Sequence, residues 1–244
     1  MIRTENILFL KKYFPSAWDK LRDLEYGDGA SNVQAVPAKK GPLTLMIGEA
    51  ASPAYLHSQY DPLNEAERFV RQYEDLSGYE HIFFYGVGLG YHVKALLDRH
   101  PDLSFSLYEP QPEIMYCWLS NDDLEQYPLK RLKNIFVEAD DADRQQVLIN
   151  FANQVNGKVL LVVWPAYERL FREQYQQFLR DFKEKVSDRR SALHVNLAFE
   201  KRWTINSMLN LKHTLQTPNI LHDVDKAHFK DKPAILVAAG LSPV

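Results

Sequence analysis

The stretch His81-Ile82-Phe83-Phe84-Tyr85-Gly86-Val87-Gly88-Leu89-Gly90-Tyr91-His92 sets an apolar run directly before three glycines at alternate positions. Four apolar residues in a row suit a parallel strand covered on both faces, and the glycines suit a sharp turn from that strand into a helix. Lacking a Cβ, Gly86, Gly88 and Gly90 can take positive φ and let a ligand approach the main chain. A helix beginning near Tyr91 would aim its free N–H groups and positive dipole end over the same turn. The same glycines would also serve close strand-to-helix packing with no ligand, so the pattern leaves both roles open.

The following segment, Ser104-Phe105-Ser106-Leu107-Tyr108, alternates like a strand and ends in Glu109-Pro110. Glu109 stands about 20 residues beyond the glycines, the distance at which a carboxylate receives ribose hydroxyls in a Rossmann unit. The spacing G-x-G-x-G is nearer to that of nucleoside-binding folds such as S-adenosylmethionine methyltransferases than to the dinucleotide pattern. Those enzymes carry an acidic residue just before the first glycine, where this chain has Tyr85. A third strand at Asn134–Glu138 is followed by Asp140 and Asp141, positions that can meet an adenine amino group, although Asp141 reads equally as a helix cap. Gly86, Gly88, Gly90, Glu109 and Asp140 are therefore the candidate cofactor-binding residues, for a nucleoside ligand such as S-adenosylmethionine or a CMP-sugar.

Lys158–Trp164 reads as a fourth buried strand. Four strands separated by helical patterns predict an α/β fold: a Rossmann-like parallel sheet flanked by helices, in the order 3-2-1-4, with a helix and β-hairpin segment before it. In that leading segment, apolar residues at helical spacing cover Thr4–Phe14, Pro15 interrupts them, and Trp18, Leu21 and Leu24 continue. Val33–Val36 and Leu43–Ile47 flank Lys39-Lys40-Gly41 as a hairpin, which must either pair with another strand, Ala54–His57 being the candidate, or lie against a helix. Asp61 and Pro62 mark a helix start that would bury Leu63, Ala66, Phe69, Val70 and Tyr73. His57, Ser58 and Asp61 resemble acid–base equipment, but polar residues around a capping aspartate are the commoner arrangement. A helical stripe over Val147–Val155, with Asp141 as its candidate cap, closes at Gly157. Further on, the pattern predicts one helix from about Ala166 to Val186 and another from about Ala192 to Leu215. Lys232–Gly240 reads as the first strand and turn of a following α/β unit. The expected divisions are 1–77, 78–189, 190–231 and 232–244.

Composition narrows the classes. A formal charge of −3 over 244 residues argues against binding nucleic acid through charge alone. The single cysteine, Cys117, excludes a disulfide framework and a multi-thiolate metal site, and with no basic neighbour in sequence it reads as core. No metal site is recognised. No apolar run reaches the roughly 18–20 residues of a membrane span, and charges stand where a signal peptide needs its apolar core. The expected compartment is the cytoplasm.

The hairpin, the phrase Leu56-His57-Ser58-Gln59-Tyr60-Asp61-Pro62 leading into Glu65-Ala66, the glycine turn with Glu109, and Lys232-Pro233-Ala234-Ile235-Leu236-Val237 together resemble the bacterial motility accessory factors. That resemblance implies a part in flagellin glycosylation, the transfer of a nonulosonic acid from a CMP-sugar to flagellin. It also implies flagellin or another flagellar protein as partner, and leaves a homo-oligomer open. The family places an N-terminal α/β domain before a sialyltransferase-like domain, and this chain resembles the former. Gly240-Leu241-Ser242-Pro243 departs from the Gly-Pro-Ser turn expected at the start of the second, so no catalytic residue is carried over. Two other readings stand beside it: a methyltransferase using S-adenosylmethionine, with Trp164-Pro165-Ala166-Tyr167 at the substrate end, and a degenerate Rossmann scaffold that binds protein.

Overall fold

The computed structural model describes residues 1–26, 32–48, 53–155, 157–187 and 195–197. By compactness the chain divides into Met1–Ala198 and Phe199–Val244, and every described residue lies in the first unit.

The N-terminal helices are α1 (Thr4–Tyr13) and α2 (Pro15–Tyr26), broken where proline begins the second. Asn6 ties α1 down. Its buried amide donates to the Leu119 and Asp122 carbonyls, and its oxygen accepts from the Leu124 N–H. Strands β1 (Val33–Pro37), β2 (Leu43–Ile47) and β3 (Ala54–Tyr55) form an antiparallel sheet in that order. Helix α3 (Pro62–Val70) starts as its sequence requires, with the Asp61 side chain accepting from the Asn64 N–H. Leu63 departs from the predicted stripe: it is half exposed, because the face turned inward carries Pro62, Ala66 and Val70.

The second sheet is built by β4 (His81–Tyr85), α4 (Tyr91–Arg99), β5 (Ser104–Glu109), α5 (Pro112–Asn121), β6 (Leu132–Val137), α6 (Asp141–Gln154), β7 (Val159–Val163), α7 (Pro165–Leu170), α8 (Arg172–Phe182) and β8 (Val195–Leu197). All five strands are parallel, in the order β6-β5-β4-β7-β8. The predicted order of the first four strands is the one observed. Every residue of β4 and β7 is buried, as their unbroken apolar runs require. Alternation along β4 divides the core: Ile82 and Phe84 pack with α1, α2, α4 and α5, while Phe83 and Tyr85 meet Phe151, Phe178 and Phe182. His81 is satisfied within the sheet by the Ser104 and Ser106 hydroxyls at 2.8 and 2.9 Å.

Four expectations need correction. The predicted helix over 166–186 is two helices, α7 and α8, parted at Phe171, whose φ of −129° and ψ of 48° leave the helical region; the bend lets α7 lie over the strand ends. Asp140, not Asp141, caps α6, its side chain accepting from the Asp143 N–H. That helix ends with Val155 extended, and Gly157 has no left-handed φ; its missing Cβ instead makes room for Glu80. Within the predicted helix over 192–215, Val195–Leu197 extend along β7, whose edge groups need partners. The rest of that prediction, and the strand predicted within 232–240, lie outside the described residues.

Candidate functional site

Strand order reverses between β4 and β7, which leave in opposite directions toward β5 and β8. A crevice outside the carboxyl ends at such a switch point is where open α/β sheets bind ligands. The glycine turn stands there, with φ of 81° at Gly86, 55° at Gly88 and 73° at Gly90, all in the region that side chains avoid. Its geometry matches the sequence expectation, and Glu109 lies beneath it as predicted.

The chain's own side chains fill the space. A Cβ placed on Gly86 would fall 2.4 Å from the Tyr167 ring, one on Gly88 2.5 Å from His57 Nε2, and one on Gly90 2.4 Å from the Tyr127 hydroxyl and 2.5 Å from Trp118 Nε1. The N–H groups exposed by the turn are also taken. Glu109 Oε2 accepts from Val87 N at 2.8 Å and Gly88 N at 3.3 Å, and His57 Nε2 accepts from Leu89 N at 2.9 Å. Tyr167 donates its hydroxyl to Glu109 Oε2 at 2.6 Å and accepts from Gly88 N at 3.1 Å. Gln111 N completes the set on Glu109 Oε1 at 3.0 Å.

Burial governs the charges. Glu109 has no exposed surface, and desolvation raises its pKa to about 8 against the pull of the Tyr167, Gln111, Val87 and Gly88 donors. Desolvation also lowers His57 to about 3, so its ring is neutral; because Nε2 accepts, the proton sits on Nδ1, which has no partner among the described protein groups. His92 lies stacked on Trp164 with ring centroids 4.6 Å apart, and burial holds its pKa well below the ordinary value. The Trp164 indole donates to the Leu56 carbonyl and the Tyr91 hydroxyl to the Leu43 carbonyl, tying the first sheet to the crevice.

Asp140 is not part of this cluster. It borders an open cleft of about 670 Å³ with Glu138, Asp141, Gln174 and Arg180. Arg144, buried behind that cleft, donates to Glu138 at 2.9 Å, to Asp141 at 2.8 Å and to Asp181 at 2.7 Å, while Tyr108 donates to the second Glu138 oxygen. Gln111 joins the two places: its side-chain amide donates to Gln174 Oε1 at 2.6 Å.

Ser58 and Asp61 act locally. The Ser58 hydroxyl accepts from the Tyr60 and Asp61 N–H groups, and Asp61 caps α3 and pairs with Lys40 at 2.7 Å. Cys117, partly buried, points its thiol at the Val33 carbonyl. Among the described residues no group of three or more His, Cys, Asp and Glu side chains could hold a metal ion, and no helix is long and apolar enough to cross a membrane. Sequence reasoning missed His57 as the residue under the turn, Tyr167 as its cover, and Arg144. The distance of 32 residues from His57 to Leu89 and 58 from Glu109 to Tyr167 leaves no local signal.

The structure is similar to that of an O-methyltransferase family protein from Burkholderia thailandensis, with a TM-score of 0.31 and 11% identity over 74% of this chain and 50% of that chain. No curated protein matches the chain. Residues 30–187, more than half of the sequence, match the model of the glycosyltransferase Maf N-terminal domain. They run from the hairpin through the glycine turn to the end of α8 and the turn beyond it, and the chain belongs to that family.

Proposed function

We propose that this chain serves flagellin glycosylation as a non-catalytic N-terminal part of a motility accessory factor, its Rossmann-like unit acting as a scaffold that binds flagellin or another flagellar protein. The observation that carries this reading is the state of Glu109: the carboxylate best placed to receive a ribose already accepts four hydrogen bonds from its own chain. A turn whose N–H groups and overlying space are both filled is adapted to hold helices and strands together. The test has two arms. Calorimetric titration of the 244-residue chain with S-adenosylmethionine, CMP, a CMP-nonulosonic acid and NAD is expected to show no binding, while purified flagellin binds. Stoichiometric binding of any of these small molecules, or sugar added to flagellin at enzyme-like turnover in an intact-mass assay, would overturn the non-catalytic reading. Failure to bind any flagellar protein would overturn the partner.

A further inference from the structure

We propose that Tyr167 is a built-in surrogate ligand: its side chain occupies the ribose position of a nucleoside crevice, and removing it uncovers a site for a nucleoside with a free ribose diol. The hydroxyl of Tyr167 donates to Glu109 Oε2 and accepts from Gly88 N, a pair of bonds open to a ribose hydroxyl, which is likewise one donor and an acceptor. The ring lies against the first glycine, over the turn where a nucleoside passes in this class of fold. Its helix, α7, follows β7 directly and so delivers the ring at the point where strand order reverses.

Two further observations point the same way. Tyr85, whose ring centroid is 5.9 Å from that of Tyr167, has a fully buried hydroxyl with no partner among the described protein groups. Such a group is costly to leave unpaired, and a sugar hydroxyl offers it one. Beyond Glu109, Gln111 bonds to Gln174, which lines the open cleft beside Asp140, and the base attached to that ribose is assigned to this side of the crevice. A carboxyl group at the diol position suits unmodified ribose and offers a 2′-phosphate no positive partner. The inference rests on the closed turn and is independent of flagellin, so failure of the flagellin arm above leaves it untouched.

The experiment is calorimetric titration of Tyr167→Ala and of the unaltered chain with adenosine, cytidine and 2′,3′-dideoxyadenosine. The expected result is binding of adenosine or cytidine to Tyr167→Ala and none to the unaltered chain. The dideoxy compound should bind the variant roughly 10- to 100-fold more weakly, the scale of leaving a buried hydrogen-bonding group without its partner. Adding Glu109→Ala to the variant should remove most of that preference. A folded Tyr167→Ala that binds no nucleoside overturns the proposal, as does equal affinity for the dideoxy compound. If Tyr167→Ala is unfolded alone, the proposal requires millimolar adenosine or cytidine to restore a cooperative thermal transition, and absence of that restoration overturns it.

Discussion

His57 Nε2 accepts a hydrogen bond from Leu89 N at 2.9 Å, and the same nitrogen stands 2.5 Å from where a Cβ on Gly88 would be. One imidazole therefore does two things: it satisfies a donor left open by the turn and fills the room that glycine leaves. The loop after β3 is in this way bolted to the end of β4.

Gly88→Ala must push aside that ring and hold a side chain at φ of 55°. A cost of about 2–4 kcal/mol is expected from backbone strain and overpacking together. His57→Ala should cost about 2–4 kcal/mol through lost packing and an unpaired N–H. In the double variant the clash is absent, so the two costs should be less than additive. Urea unfolding of the four proteins checks this, and strict additivity would mean that the ring yields without resistance.

His92 gives the opposite expectation. It is fully buried, its contacts with Trp164, Phe84 and Phe69 are those of an aromatic ring, and its ring nitrogens make no hydrogen bond of good geometry among the described groups, the Gly86 main chain being their one polar neighbour and only weakly placed. His92→Phe keeps the stacking and removes two unsatisfied polar atoms, so a gain of about 1–3 kcal/mol is expected, read as a higher unfolding midpoint in urea. A loss of stability would show that a ring nitrogen is bonded in solution.

Stability should peak in mildly acid solution. Burial lowers His57 to about 3, and burial with the Lys133 charge lowers His81 to about 4, both from 6.5. The folded state thus binds these protons more weakly, and the stability they contribute is complete above pH 6.5 and lost as pH falls toward 4 and 3. Glu109 works the other way. Its pKa rises from 4.5 to about 8, so folding weakens as pH rises through that window. Between 6.5 and 8 the Glu109 effect acts without the histidines, and below 4.5 the histidines act without it, which puts the maximum between 4.5 and 6.5. Urea midpoints across pH 4–8 test this, and Glu109→Gln should flatten the limb from 6.5 to 8.

Breaking the ion cluster around Arg144 should be costly. Arg144 and Glu138 are almost wholly buried, and Asp181 nearly so. Arg144→Met would leave the Glu138 and Asp181 carboxylates buried without their cation, for which about 3–5 kcal/mol is expected. Thermal unfolding measures it; a change within about 0.5 kcal/mol, the usual size of a surface substitution, would mean the cluster is hydrated in solution.

Much of this fold was legible because it rests on local patterns. The apolar runs at Ile82–Tyr85 and Val159–Val163, the Asp61-Pro62 helix start and the hairpin at Lys39-Lys40-Gly41 each announce themselves within a few residues. The glycine turn and Glu109 were legible for the same reason, since a βαβ unit fixes their separation. What filled the turn was not. Tyr167 comes from after β7 and His57 from before α3, and only the packed sheet brings both to Gly86 and Gly88. The periodicity of 166–186 likewise hid the break at Phe171, because apolar spacing continues across a bend that tertiary packing imposes.

Amide hydrogen exchange at Val87, Gly88 and Leu89 tests the closed turn most directly. In this structure those three N–H groups are bonded to Glu109, Tyr167 and His57 within a buried shell. They should exchange as slowly as the amides of β4, by near-global unfolding, and His57→Ala should release Leu89 selectively. Fast exchange of all three in the unaltered chain, at rates typical of an open loop, would contradict the account and leave the turn free for a ligand.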